Sequence, residues 1–225
     1  MGIEFGISGS AVVEQNRVIN INYIYSLNFR IAKQVLGSSN KIIEYVLDKE
    51  KNSIYNTLII SPPGYGKTTI LRDLIRQISS GIKEAKFKGL NVALVDERGE
   101  ISAMYKGIPQ NDVGIKTDIM DNIPKWIGMR MLIRSMSPDI IVADEIGSME
   151  DIEAINYAVC SGVKGIFTAH GKQFEDIYLN PIIKNLINSH ILERIIFLDV
   201  YWKKGEISKV YTLDKKLAEY VEYKN

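Results

Sequence analysis

Short runs of apolar residues alternate, from residue 57 onward, with segments in which apolar residues recur every three or four positions. The apolar runs predict strands at residues 57–60, 90–96, 139–144, 163–170 and 191–201. The segment after Lys67 has helical spacing, with apolar residues at Ile70, Leu71, Leu74, Ile75 and Ile78. Continuous apolar strands are typically buried on both faces, and strands that alternate with helices form parallel sheets. The pattern predicts an α/β fold with a mainly parallel sheet and helices on both faces.

The first 50 residues have a different pattern. Residues 1–22 combine short β-rich runs with the turn signals SGS and EQN, so we predict a strand pair there. Residues 26–47 have apolar residues at helical spacing on either side of a GSSN break, which predicts two helices. We therefore divide the chain into a small amino-terminal β/α segment, residues 1–50, and a main domain, residues 51–225.

The main domain contains further predicted elements. A long loop at residues 98–122 is followed by a helix that ends before Pro138. The sequence SMED at 148–151 resembles a capping box with aspartate in place of glutamate, and predicts the start of a helix. Another helix is expected around residues 181–188, and residues 191–201 and 208–213 are expected to form a carboxyl-terminal hairpin. A core-facing stripe is predicted at Met129, Met131, Leu132 and Met136.

Composition narrows the possible classes of protein. A chain of 225 residues, 46% of them hydrophobic, can bury one substantial core. Its 28 basic and 27 acidic residues nearly cancel, which argues against nucleic acid or an acidic membrane as a partner. The single cysteine, Cys160, excludes an intrachain disulfide framework, and we predict that it is a small buried residue. Without a signal peptide or an apolar run of roughly 18 residues, the chain is predicted to be cytoplasmic and not inserted in a membrane.

Residues 61–69, SPPGYGKTT, match the phosphate-binding pattern G-x-x-x-x-G-K-[ST] except at its first position, Ser61. Such a loop wraps phosphate oxygens with backbone N–H groups, so glycines stand where side chains would obstruct the approach. Lys67 is expected to contact the β- and γ-phosphates, and Thr68 is expected to ligate Mg²⁺. Ser61 lies at the loop entrance, where a small residue can replace glycine. The predicted nucleotide-binding residues are Pro63, Gly64, Tyr65, Gly66, Lys67, Thr68 and Thr69.

The predicted strand at 139–144 supplies the other half of a hydrolytic site. Its apolar residues place it inside the sheet, so Asp144 and Glu145 emerge at its carboxyl end, the edge where ligands bind in open α/β sheets. There Asp144 would hold Mg²⁺ through water, and Glu145 would orient or deprotonate the attacking water. Alone, the two acids are also compatible with an ordinary acidic start of a helix. Together with the phosphate loop they predict a Mg²⁺-dependent nucleoside triphosphatase.

Other polar side chains follow strands that end at the same edge. In the sequence DERGE, Glu97 or Glu100 could assist the metal or the water, and Arg98 could contact a phosphate here or across a subunit boundary, although a solvated charged turn is an alternative. His170 ends the next strand and could hydrogen-bond the γ-phosphate or the water, although a lone histidine there is more often a satisfied polar residue. The candidate catalytic residues are Glu145, Glu97, His170 and Lys67, and the candidate Mg²⁺ ligands are Thr68 and Asp144.

Two further arginines lie four residues apart on one face of the helix before Pro138. If the protein forms a ring, Arg130 and Arg134 are, with Arg98, candidates for an arginine that acts on the site of a neighbouring subunit. They are equally well interpreted as two solvated charges on a helix.

Four segments together resemble a known family: NTLIISPPGYGKTTILRDLIRQIS, VALVDERGEI, GMRMLIRSMSPDIIVADEIG and GIFTAHG. They closely resemble the stage III sporulation protein AA family, relatives of the secretion and pilus ATPases with a RecA-like core, over nearly the whole chain. In secretion ATPases an acidic box follows the second strand, a glutamate ends the third and a histidine box ends the fourth. Glu97 with its neighbour Asp96, then Glu145 and His170, match these features in order.

The resemblance implies properties that the motifs alone do not. It implies that the nucleotide is ATP with Mg²⁺, and that the chain forms a homo-hexamer or another ring in the mother-cell cytoplasm. There it would serve membrane proteins of a channel between mother cell and forespore. It also implies that relatives are longer at the amino end, so this chain is expected to be truncated. Two alternatives stay open: an ATP-binding switch or scaffold with slow turnover, and a RecA-like nucleic-acid-dependent translocase, against which the near-neutral charge argues.

Overall fold

A computed structural model describes residues 3–31, 34–199 and 205–223. In chain order its elements are β1 (Ile3–Glu14), β2 (Arg17–Ile31), α1 (Ile43–Val46), β3 (Leu47–Asp48), β4 (Ser53–Ile54), β5 (Thr57–Ile60), α2 (Lys67–Ser80), β6 (Val92–Asp96), β7 (Met104–Tyr105), β8 (Ile108–Pro109), β9 (Thr117–Asp121), α3 (Lys125–Met136), β10 (Ile140–Ala143), α4 (Met149–Cys160), β11 (Lys164–Ala169), α5 (Phe174–Leu179), α6 (Pro181–Asn188), β12 (Arg194–Leu198), β13 (Ile207–Asp214) and β14 (Glu219–Glu222).

The main sheet is mostly parallel. Among the described residues it has eight strands in the order β14-β13-β12-β5-β11-β10-β6-β9. The pairings from β12 through to β9 are parallel, and β13 and β14 are added in antiparallel orientation. The carboxyl ends of β5, β6, β10 and β11 therefore lie at one edge of the sheet. This arrangement confirms the predicted α/β fold and the predicted antiparallel pairing of β12 with β13.

Two hydrophobic cores lie on opposite faces of this sheet, because successive side chains of a strand point to opposite sides. On β5, Ile59 packs in the core that contains the apolar face of α2. Its neighbours Leu58 and Ile60 belong to the other core, with residues of α3, α4 and α6. Helices thus cover both faces, as the uninterrupted apolar strands predict.

The amino-terminal strands form a separate antiparallel hairpin of β1 and β2. Because β2 continues to Ile31 and the helix α1 has only four residues, the prediction of two helices at residues 26–47 is wrong. A spacing of four residues places side chains on one face of a strand as well as on one face of a helix, so periodicity did not separate the two. Phe5 and Phe29 pair across the hairpin, and each is more than half exposed.

The region at 98–122, predicted as a loop, contains β9 as well as the short pair β7 and β8. Strand β9 is parallel to β6 and forms the edge of the main sheet, with Ile119 opposite Leu94. Its sequence, TDIMD, has only two apolar residues and is half-buried throughout, so it lacks the apolar run of the inner strands. Helix α5 was also not predicted.

Two predictions of burial on helices are corrected. Cys160 is the last residue of α4 and is exposed, because the helix has turned that position away from the sheet. On α3, Met129 and Leu132 are buried as predicted, whereas Met131 and Met136 are 48% and 45% exposed. The apolar stripe of α3 is therefore narrower than its composition suggested.

The predicted capping box at the start of α4 is confirmed, with reciprocal hydrogen bonds between Ser148 and Asp151.

A buried carboxylate fastens the segment before α1 to helix α2. Asp73, 2% exposed, accepts hydrogen bonds from the backbone N–H and the hydroxyl of Ser39 at 2.9 and 2.8 Å. Arg76 and Gln77 also donate to it. Burial opposes ionisation of Asp73, but the hydrogen bonds from Ser39, Arg76 and Gln77 outweigh it and lower the pKa of the carboxyl group.

We expect Asp73→Asn to lower the free energy of unfolding at pH 7 by about 2 kcal/mol, since it weakens several charge-assisted hydrogen bonds. A carboxylate whose pKa is lower in the folded state contributes stability above its unfolded pKa, about 3.9, and loses it as the pH falls through the folded value. The stability gap between wild type and variant should therefore shrink between pH 7 and pH 3. Urea unfolding at both pH values measures it, and a gap that is constant with pH would contradict this prediction.

Candidate functional site

The loop between β5 and α2 has the backbone of a phosphate-binding loop. Gly64 and Gly66 have φ values of +80° and +94°, a region that favours glycine, and no atom lies within 4 Å of the position a Cβ of Gly64 would take. Glycine is thus required at 64 by the backbone and not by crowding. Ser61 is fully buried and does not have a positive φ. A serine therefore fits the first position of the motif without strain.

Lys67 is the first residue of α2 and is only 5% exposed. Its Nζ donates to the carbonyl oxygens of Ser61 at 2.7 Å and Pro62 at 3.1 Å. These two bonds hold the amine against the first residues of the loop. Burial lowers the pKa of the Lys67 amine, and the nearby carboxylates of Asp144 and Glu145 partly oppose this shift. The structure thus places this amine beside the loop that the sequence predicts for phosphates.

Asp144 directly follows β10 and reaches across to α2. The hydroxyl of Thr68 donates to Asp144 Oδ2 at 2.8 Å, and the hydroxyl of Thr168, on β11, is bonded to the other carboxylate oxygen. The structure thus brings together the two predicted Mg²⁺ ligands, one hydroxyl and one carboxylate. Magnesium prefers such oxygen ligands and commonly takes few from the protein, with water and substrate phosphates completing the shell. Within the described ranges, no group of three or more His, Cys, Asp or Glu side chains is arranged to hold a metal.

Glu145 lies next to Asp144 in an uncommon backbone conformation. Its φ is +54°, a left-handed value that is uncommon for a residue other than glycine and that turns the chain sharply after β10. The backbone N–H donates to the hydroxyl of Thr168 at 2.8 Å, which fixes the turn after β10. Glu145 Oε2 lies 2.8 Å from a guanidinium nitrogen of Arg98, and Oε1 lies 3.3 Å from Nε2 of His170.

His170 links Glu145 to Lys67. Its Nδ1 lies 3.1 Å from Lys67 Nζ, and because an ammonium group only donates, Nδ1 must accept. The imidazole proton is then on Nε2, which faces the carboxylate of Glu145. Lys67, His170, Glu145 and Arg98 thus form a continuous row of contacts beside the phosphate loop.

The two acids at the end of β6, Asp96 and Glu97, have different surroundings. Asp96 is 2% exposed and accepts from the backbone N–H of Ser102 at 2.8 Å, from its hydroxyl at 2.6 Å and from the backbone N–H of Ile101. These bonds close the loop that follows the strand. Glu97 forms an ion pair with Lys125 and lines a pocket that Asp144 and Glu145 also line. Both acids line this pocket, but the carboxylate of Asp96 is buried and bonded to the loop, whereas the side chain of Glu97 is 37% exposed.

We expect Asp96→Ala to lower the free energy of unfolding by about 3 kcal/mol, because it leaves buried N–H groups without their acceptor. Glu97→Ala should cost less, about 1 kcal/mol, because the Glu97 side chain is 37% exposed and loses one ion pair, with Lys125. Chemical denaturation of both variants tests the distinction. Equal losses of stability would show that Asp96 does not hold the loop.

The remaining predicted residues are distributed around this centre. Pocket walls at the phosphate loop include Pro63, Thr69, Arg98 and Glu145, whereas Tyr65 does not line that pocket. Arg130 and Arg134 lie on α3 near the ring of Tyr157 and do not line this pocket either.

Two residues of the site, Thr168 and Lys125, were not predicted from the sequence. Thr168 carries a usable signal, as a polar residue at the carboxyl end of an otherwise apolar strand, but the pairing of Lys125 with Glu97 joins positions 28 apart and has no local signal.

A family model described as "Sporulation stage III, protein AA" matches residues 1–217. The chain belongs to the stage III sporulation protein AA family. It is 39% identical to the stage III sporulation protein AA of Bacillus subtilis strain 168 over 213 residues, which is 95% of this chain and 68% of the Bacillus protein. The sequence resemblance to this family is thereby confirmed.

Solved structures with a similar fold are ATPases of other systems. The Legionella pneumophila ATPase DotB aligns with a TM-score of 0.61 and 16% identity, over 96% of this chain and 59% of DotB. The pilus retraction motor PilT, solved with bound ADP, aligns with a TM-score of 0.54 and 15% identity, over the whole chain and 64% of PilT. At these identities the likeness shows the fold, which is the RecA-like fold expected for the family. No helix in the part of the chain that the structure describes is long and apolar enough to cross a membrane.

Proposed function

We propose that this chain is a Mg²⁺-dependent ATPase of endospore formation. The observation that carries the proposal is the hydrogen bond of 2.8 Å between Thr68 and Asp144. It joins the start of the phosphate-loop helix to the carboxyl end of β10, so that a triphosphate on the loop would meet the carboxylates of both Asp144 and Glu145. The fold shared with DotB and PilT supports the same chemistry.

Each predicted residue has a proposed role in this reaction. The backbone of residues 63–69 and the amine of Lys67 would bind the phosphates, and the N-terminus of the 14-residue helix α2 favours an anion there. Thr68 and Asp144 would hold Mg²⁺, which neutralises phosphate charge when bound. Glu145 would orient the attacking water, and His170, which contacts both Glu145 and Lys67, would sense the terminal phosphate. Glu97 would assist from the adjoining pocket.

The biological setting is proposed from the family. We infer a homo-hexamer or another ring in the mother-cell cytoplasm, which acts on membrane proteins of a channel between mother cell and forespore. Residues 1–50 would form an amino-terminal segment that leads into the core, and residues 51–225 would be the ATPase domain. A nucleotide switch with slow turnover is the competing function, since the same site could bind ATP without rapid hydrolysis.

We would measure MgATP turnover over a range of protein concentrations and the oligomeric state of the same samples by sedimentation. Together they test whether hydrolysis depends on ring formation. Turnover per chain that rises steeply as oligomers form supports the ring ATPase. Slow turnover that is independent of concentration, with one nucleotide bound per chain, favours the switch. Stimulation by single-stranded DNA that disappears at high salt would instead favour the translocase.

A further inference from the structure

Arg98 contacts Glu145 and also lines the pocket at the phosphate loop. Its guanidinium lies 2.8 Å from Glu145 Oε2, and the side chain is 61% exposed. The pocket wall there is made of phosphate-loop residues together with Arg98, Glu100 and Glu145. One arginine of the same chain thus faces both the proposed water-orienting carboxylate and the place where a terminal phosphate would lie.

The chemistry of the guanidinium allows it to serve both partners at once. Arginine has five N–H donors in a fixed planar fork, which suits carboxylates and phosphates. In the structure, the ion pair with Glu145 uses a terminal nitrogen of Arg98. A phosphate oxygen in the shared pocket could accept from the remaining donors without breaking that pair.

The backbone of Glu145 is held in place, so the position of its carboxylate depends on the side chains that contact it. The N–H of Glu145 is fixed by Thr168, which is fully buried and also bonded to Asp144. The carboxylate then has two neighbouring donors, Arg98 at one oxygen and His170 at the other. Because the main chain is fixed, the position of the carboxylate depends on these two side chains.

We propose that Arg98 acts within its own chain, where it binds the terminal phosphate of ATP and aligns Glu145 with that phosphate. This inference rests on the proposed ATPase function. It assigns to Arg98 the recognition of a triphosphate over a diphosphate, and it excludes Arg98 as the arginine that completes the site of a neighbouring subunit.

The first test compares the affinities of Arg98→Ala for a non-hydrolysable MgATP analogue and for MgADP. We expect the affinity for the ATP analogue to fall about 10- to 100-fold, which is typical of a lost charge-assisted contact, and the affinity for ADP to stay within about twofold. Arg98→Lys should recover part of the affinity but not turnover, because lysine lacks the planar fork. Arg17→Ala, an exposed arginine on β2, is the matched control.

The second test mixes Arg98→Ala with Glu145→Gln chains under conditions of assembly. If Arg98 acts within its own chain, no mixed oligomer contains a complete site and turnover is not recovered. Recovery of turnover would place Arg98 in trans and overturn the proposal, as would equal losses of ATP and ADP affinity in Arg98→Ala. If wild type does not bind MgATP, or binds it equally well after Lys67→Ala, the proposed function itself fails and this inference fails with it.

Discussion

Replacement of Lys67 by alanine is expected to weaken MgATP binding by at least about 100-fold. The amine is nearly buried at the mouth of the loop, where it contacts the Ser61 and Pro62 carbonyls and would face the β- and γ-phosphates. Hydrogen bonds to charged groups contribute about 1.5–3 kcal/mol each, so the loss of two phosphate contacts costs about 3 kcal/mol or more. Titration with a fluorescent ATP analogue measures the affinity.

The matched control is Lys83→Ala, which removes an exposed lysine in the turn after α2 and should leave the affinity unchanged. Thermal unfolding of both variants shows whether the loop still folds. Wild-type affinity in a folded Lys67→Ala protein would show that the loop at residues 61–69 is not where the triphosphate binds.

Replacement of Glu145 by glutamine is expected to preserve MgATP binding within a fewfold and to slow hydrolysis by at least about 100-fold. A positioned general base typically contributes a factor of about 10² to 10⁴, and glutamine retains the shape of the side chain but cannot take a proton at neutral pH. Phosphate release and nucleotide binding, measured on the same preparation, separate the two effects.

An exposed glutamate on α4 provides the control, since Glu150→Gln removes the same charge without touching the row of contacts around Glu145. It should hydrolyse ATP at the wild-type rate. Should Glu145→Gln also do so, the attacking water must be oriented by another group, and Glu97 and His170 become the next candidates.

The parallel sheet could be predicted because its inner strands are nearly uninterrupted apolar runs. Strands β5, β6 and β10 are buried at every position, and such runs bounded by turn signals have few other interpretations. The helix α2 was equally clear, since five apolar residues fall on one side and a glycine follows its last residue, Ser80.

The edge of the fold was less predictable because its residues are less buried. Strand β9 pairs with β6 through main-chain bonds, which any sequence can make, and its half-buried side chains lack an apolar run. The extension of β2 was read as a helix because apolar residues four apart fit both periods. In each case the strand forms by pairing with a strand elsewhere in the sequence, β6 for β9 and β1 for β2.

For the candidate site, the sequence predicted which residues meet but not how they are held. Thr68, Asp144 and Glu145 could be placed at one edge because parallel strands end there together. The contacts of Thr168 with Asp144 and Glu145 depend on the register between β10 and β11, in which Ala143 lies opposite Phe167. The different surroundings of the two acids at the end of β6 also required the folded structure, since Asp96 is bonded to the loop that follows the strand and Glu97 pairs with Lys125.

The most direct test of ATP hydrolysis at this site is a single-turnover measurement, with wild-type protein in excess over radiolabelled ATP at a concentration that gives oligomers. If the chain hydrolyses ATP at this site, wild type should release the γ-phosphate only with Mg²⁺. Release should be lost in Lys67→Ala because ATP does not bind, and in Glu145→Gln although ATP remains bound. Radiolabelled ATP that binds to wild type with Mg²⁺ and stays intact for hours would contradict hydrolysis at this site and leave a nucleotide switch as the function.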